Sequence, residues 1–190
     1  KKIFNKYFQE SYLKSFFVII YGKKYYKILK NYDLQLLVMT QFQKTILENL
    51  GFNSNNINIY LNPINITDGS FKSDSDYFVY AGRISAEKGV DCLISSFKEA
   101  SLENTSLKLI GEGPLLSKLK NEYKSDINIK FLGSLDNKVV LDEIYGSKGV
   151  ITATKLYEGQ PTLLCEASKL GKVSIFPTTG GINDFFPKNY

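Results

Sequence analysis

Two periods alternate along this chain. Short apolar blocks of strand length are followed by stretches in which apolar residues recur every three or four positions, as on one face of a helix. Leu34–Thr40 and Ile57–Leu61 read as buried strands flanking a helix over Gln41–Leu50, which Gly51 stops. After the polar stretch from Asn65 to Asp76 the alternation becomes regular. Tyr77–Ala81 is a strand, and Val90, Leu93, Ile94 and Phe97 mark a helix face. Leu107–Ile110 is the next strand, then Leu115, Leu116, Leu119 and Tyr123 line a helix that Pro114 should open. Ile127–Leu132, a helix over 138–145, Gly149–Ala153, a helix from Pro161 to Leu170 and Val173–Phe176 complete the series. Cys92 and Cys165 both fall inside these helices and read as small buried apolar residues.

Repeated strand-helix units predict an α/β fold, a Rossmann-like parallel sheet with helices on both faces, preceded by a partial second α/β domain. The predicted domains are residues 1–62, a linker over 63–76 and the regular domain at 77–190. Ligands of such sheets bind beyond the carboxyl ends of the strands, so the loops there are where chemistry is expected. The opening 32 residues interleave aromatic and aliphatic groups with lysine and predict one or two amphipathic helices.

Composition narrows the choice of chemistry. The chain of 190 residues is 43% hydrophobic, enough for a real core, and its longest apolar run is far too short to span a bilayer. It contains no histidine, which excludes a Ser-His or Cys-His nucleophile, and its two separated cysteines argue against a zinc site. The predicted chain is soluble and cytoplasmic. Its formal charge of +5 is concentrated at the start, where eight lysines face the single acid Glu10. That opening suits peripheral contact with an acidic membrane surface or contact with nucleic acid, or equally a solvated helix face.

Three loops carry candidate chemistry. In Gly82-Arg83-x4-Lys88-Gly89, Gly82 permits close backbone approach and Arg83 is the one arginine among 24 basic residues. A guanidinium grips phosphate oxygens bidentately, with Lys88 as a second, point-like charge; pairing of Arg83 with Glu87 or Asp91 is the alternative. Gly111-Glu112-Gly113-Pro114 indicates only a tight turn before a helix. In Tyr157-Glu158-Gly159-Gln160-Pro161, Pro161 starts a helix whose free Thr162 and Leu163 amides attract anions. Glu158 stands outside that helix mouth and Glu166 lies one turn below Thr162, while Leu163, Ala167 and Leu170 form the stripe that meets the sheet.

Order and spacing of these loops, with Phe131-Leu132-Gly133 and Gly180-Gly181, resemble the retaining GT-B glycosyltransferases of family 4, the glycosyl transferases group 1. The likeness covers 77–186 as the donor-binding domain; 32–63 is similar to the last strand, helix and strand of the N-terminal domain. It implies that Arg83, Lys88 and Glu158 are catalytic, the first two on the donor diphosphate and Glu158 beside the transferred sugar. Gly82, Gly113, Gly159, Gln160, Thr162 and Leu163 would surround phosphate and sugar, Glu166 would hold the ribose, and Leu132-Gly133 would meet the base.

The implied donor is a UDP or GDP sugar, without metal or other cofactor, and the acceptor a saccharide or lipid-linked glycan at the inner membrane face; nucleic acid is not an implied partner. The family's acceptor-side residues, often including a histidine, have no counterpart here, and its final helices are not matched. The resemblance therefore implies a fragment of a longer enzyme that binds donor without turning it over. A non-catalytic nucleotide-sugar-binding or scaffold module, or an epimerase or phosphorylase on the same fold, are the alternatives.

Overall fold

The computed structural model describes residues 11–64 and 75–187. Most of the expected linker, the first ten residues and the last three lie outside the described residues. The chain forms two compact units: 11–38 with 44–60, and 39–43 with 61–64 and 75–187.

In the first unit α1 (Tyr12–Lys30) is followed by β1 (Leu36–Val38), α2 (Gln41–Asn49, whose first turn groups with the second unit) and β2 (Ile57–Ile59). β1 and β2 pair in parallel, Leu36 opposite Ile57, so the predicted strands form but are shorter. The helix predicted to be amphipathic is not one-sided. The unbroken run Phe16–Ile20 points in every direction around a 3.6-residue turn, and of α1 only Ser15 is fully buried, while Phe17, Tyr21 and Tyr25 are exposed. No helix among the described residues is long and apolar enough to cross a membrane.

The second unit contains β3 (Tyr77–Ala81), α3 (Val90–Glu99), β4 (Ser106–Ile110), α4 (Leu116–Glu122), β5 (Ile129–Gly133), α5 (Asn137–Tyr145), β6 (Gly149–Ile151), α6 (Thr162–Lys169) and β7 (Val173–Ile175). All five strands are parallel, in the order β5-β4-β3-β6-β7. The order therefore reverses between β3 and β6, which is where a doubly wound sheet opens its crevice.

Alternation along β3 splits the interior in two. Tyr80 joins Leu93, Ile94 and Phe97 of α3 and Leu119 of α4 on one face. Tyr77 and Val79 join Leu141 and Ile144 of α5 and Leu164 and Ala167 of α6 on the other. Most of these side chains are almost completely buried, each stabilising the fold by about 1.5–3 kcal/mol relative to exposure. Lys108 points toward the second face, where Glu143 takes its ammonium at 2.6 Å over the Tyr77 ring.

Three local expectations shift. Cys92 is exposed, not buried: it lies about opposite the Val90-Leu93-Ile94-Phe97 stripe, so a helical period turns it outward. Cys165 is half-buried. Pro114 does not open α4: the Leu115 amide is engaged by the Ile84 carbonyl at 3.1 Å and the helix starts two residues after the proline, at Leu116. In α6 the buried residues are Leu164 and Ala167, while Leu163, at the open end of the helix, and Leu170 are only partly buried.

Candidate active site

The crevice at the β3/β6 switch point holds a cleft of about 190 Å³. Its walls are the loop after β3 and the loop running from β6 into α6. A short Gly-containing turn after β4 supports the first of these from behind. Gly82 donates to the Ile110 carbonyl and Ile84 to that of Glu112, at 2.9 and 2.8 Å. A Cβ on Gly111 would stand 2.0 Å from the Gly82 carbonyl oxygen, and one on Gly113 2.3 Å from that of Ile84. Only glycine allows the two turns to lie backbone against backbone.

The buried Tyr80 closes the cleft floor, its hydroxyl donating to the Arg83 carbonyl at 2.8 Å. Burial, with the charges of Glu158 and Glu87 nearby, holds this phenol well above its usual range, so it remains a neutral donor. The Arg83 side chain is exposed at the cleft, and among the described residues its guanidinium has no ion pair. Neither alternative partner forms a salt bridge with it among the described residues: Asp91 stands 3.7 Å from Lys155, and Glu87 is held below the usual carboxylate range first by hydrogen bonding, with the Arg83 charge a smaller contribution.

The two walls are laced together. The Lys155 amide donates to the Glu87 carbonyl at 2.9 Å, and Gly89, in the left-handed region at φ 65°, lies against Ala153 where a side chain would collide. Across this seam Lys88 Nζ meets Glu158 Oε1 at 2.6 Å. Thr154, 3% exposed, donates to the same oxygen at 2.8 Å. The far end of the loop is held by Gln160, which donates to the Asn62 carbonyl and accepts from its amide, at 3.0 and 2.7 Å.

Pro161 caps α6 as a flanking residue instead of starting it. Its carbonyl accepts the Leu164 and Cys165 amides, leaving those of Thr162 and Leu163 outside the helix ladder at the cleft.

The structure thus brings Gly82, Arg83, Lys88, Glu158, Gln160, Thr162 and Leu163 to one cleft. Gly113, Leu132, Gly133, Gly159 and Glu166 do not line it. Gly133 ends β5, its carbonyl taken by the Gly111 amide at 2.7 Å. Gly159 gives room to Met39, whose Cε would be 2.5 Å from an added Cβ. Glu166 sits half-buried on α6, and its burial raises the carboxyl above its ordinary value. Tyr80 and Thr154 are cleft residues that sequence reasoning missed; a hydroxyl four positions before Glu158, just past a strand end, was the available signal for Thr154. Among the described residues no group of three or more His, Cys, Asp or Glu gathers to hold a metal ion.

A parallel doubly wound sheet, with cations, free helix amides and a carboxylate at its switch point, has the architecture of a nucleotide-binding α/β domain. The family model for glycosyl transferases group 1 matches residues 63–190, and the chain belongs to that family.

Amylovoran biosynthesis glycosyltransferase AmsD of Erwinia amylovora is 28% identical over 145 residues, 70% of this chain and 40% of AmsD. The chain thus spans well under half the length of that relative. Anabaena HepE, solved in complex with UDP-glucose, superposes with a TM-score of 0.70 at 16% identity, covering 95% of this chain and 52% of HepE. S. aureus TarM, solved with UDP, gives 0.68 at 20%, covering 80% and 32%. At these identities the superpositions establish the shared α/β, GT-B-type fold.

Proposed function

We propose that the chain is the donor-binding half of a retaining GT-B glycosyltransferase of family 4, moving a sugar from a UDP or GDP sugar to a saccharide or lipid-linked acceptor. The observation that carries this reading is the gathering of Arg83 and the Lys88–Glu158 pair in one cleft at the β3/β6 switch point. The UDP and UDP-glucose in the TarM and HepE structures, and the polysaccharide named for AmsD, support the ligand class.

Arg83 and Lys88 would neutralise a diphosphate and the charge that grows on it as it leaves, an electrostatic role that needs no metal ion. The Thr162 and Leu163 amides would add donors to the same anion or to the sugar. Glu158 would face the sugar, and Glu166, Leu132 and Gly133 would extend the contact to the nucleoside. The acceptor side belongs to parts of the enzyme beyond this cleft, and the site of action is the cytoplasmic side of a membrane.

Titration calorimetry with UDP, UDP-glucose, GDP and GDP-mannose tests the donor reading, with binding expected for one base. Binding of none of them at millimolar concentration contradicts it and favours a scaffold. The gene product containing these 190 residues should release nucleoside diphosphate only when acceptor is added. NMR of its product should show the donor's anomeric configuration; an inverted product would overturn the retaining mechanism.

A further inference from the structure

We infer that Thr154 is a positioning residue that commits one oxygen of the Glu158 carboxylate to the protein and leaves the other for the ligand. The inference rests on the donor-binding reading of the cleft. Thr154 follows β6 and is nearly fully buried. Its hydroxyl accepts the Leu156 amide at 3.2 Å, which occupies a lone pair and directs its proton to Glu158 Oε1 at 2.8 Å. Lys88 Nζ approaches that same Oε1 at 2.6 Å. Oε1 thus has two donors, whereas Oε2 makes no hydrogen bond to the described residues.

The asymmetry matters because the two donors differ in permanence. Lys88 is a flexible ammonium on the cleft wall, with 29% of its side chain exposed, and a diphosphate would compete with Glu158 for it. Thr154 is buried and tied to its own loop, so it keeps Oε1 in place while Lys88 changes partner. Glu158 then presents Oε2 to the sugar before and after the diphosphate is bound, the preorganisation that charge stabilisation requires. The seam between the walls is made by backbone groups, Lys155 to Glu87 and Gly89 against Ala153, so removing the hydroxyl spares it.

The test compares Thr154→Val and Thr154→Ser. Valine keeps the volume and deletes both the donor to Glu158 and the acceptor of the Leu156 amide; serine restores both. Calorimetry is run with UDP and UDP-glucose, and with GDP and GDP-mannose. For the base that binds, T154V should weaken the nucleotide sugar by about tenfold, the scale of one charge-assisted hydrogen bond, and the nucleoside diphosphate by less than about twofold. T154S should match the parent on both.

Equal affinities for T154V and the parent would overturn the inference, as would equal losses for both ligands in T154V and T154S. A crystal structure of T154V reads the carboxylate without ligand: Glu158 turned away from residue 154 supports the assignment, and an unmoved carboxylate refutes it. Failure of the parent to bind any nucleotide would count against the donor reading, while that crystal structure would still decide whether Thr154 positions Glu158.

Discussion

Two glycine-containing turns leave neighbouring strands of the same sheet, and they have opposite uses. The turn after β3, at Gly82-Arg83, presents an exposed guanidinium to the cleft. The turn after β4, at Gly111-Glu112-Gly113, presents nothing there; it is the backbone platform on which the first turn lies, with hydrogen bonds from Gly82 and Ile84. Similar local sequences thus divide into a wall that meets ligand and a buttress that sets the wall's position. The lesson is that a glycine in such a loop marks close approach, and the approaching partner can be the protein's own backbone.

Substitution should separate these uses. The largest effect is expected at the buttress: Gly111→Ala puts a methyl 2.0 Å from the Gly82 carbonyl oxygen at φ 129°, and should cost about 3 kcal/mol in urea unfolding. A cost below about 1 kcal/mol would mean that the two turns part easily and would dissolve the distinction.

On the ligand side, Lys88→Ala should weaken nucleoside diphosphate binding by roughly tenfold to a hundredfold, the range for a lost charge-assisted contact. Isothermal titration reads it, and unchanged affinity would leave Lys88 as a structural partner of Glu158 only. Gly133→Ala should lie between the two turns in kind and below both in size. Its φ of 72° is strained for alanine but its surroundings are open, so about 1 kcal/mol of stability is expected to be lost.

The smallest effect concerns pH. Burial raises the Glu166 carboxyl above its ordinary value of 4.5, so the folded chain holds that proton more tightly than the unfolded chain. Its contribution is fully present below the unfolded value and is lost as pH rises through the folded one. Melting temperatures of Glu166→Gln and the parent should therefore diverge in favour of the variant as the pH rises above the ordinary carboxylate range, following that linkage. Parallel curves would show that the carboxyl titrates alike in both states.

Much of this was legible because the strand and helix periods are clean. Tyr77–Ala81 alternates between two helix layers, and Val90-Leu93-Ile94-Phe97 holds a single stripe, so the α/β sheet could be read from the chain. The same stripe, applied strictly, puts Cys92 outside. What could not be read depends on which loops meet. Thr154 and Tyr80 become cleft residues only when the β3 and β6 ends are neighbours, a long-range fact that no local period encodes. That Leu164 lies deeper than Leu163 turned on where α6 starts, since Leu163 falls in its open first turn and neighbours along a helix point about 100° apart.

The most direct test of the central claim, that the cleft at the β3/β6 switch point holds a nucleoside diphosphate sugar, is calorimetry of Arg83→Ala beside Lys138→Ala, an exposed lysine on α5. The parent and Lys138→Ala should bind the same nucleotide equally, and Arg83→Ala should lose about tenfold or more in affinity. Equal binding by all three proteins would contradict it.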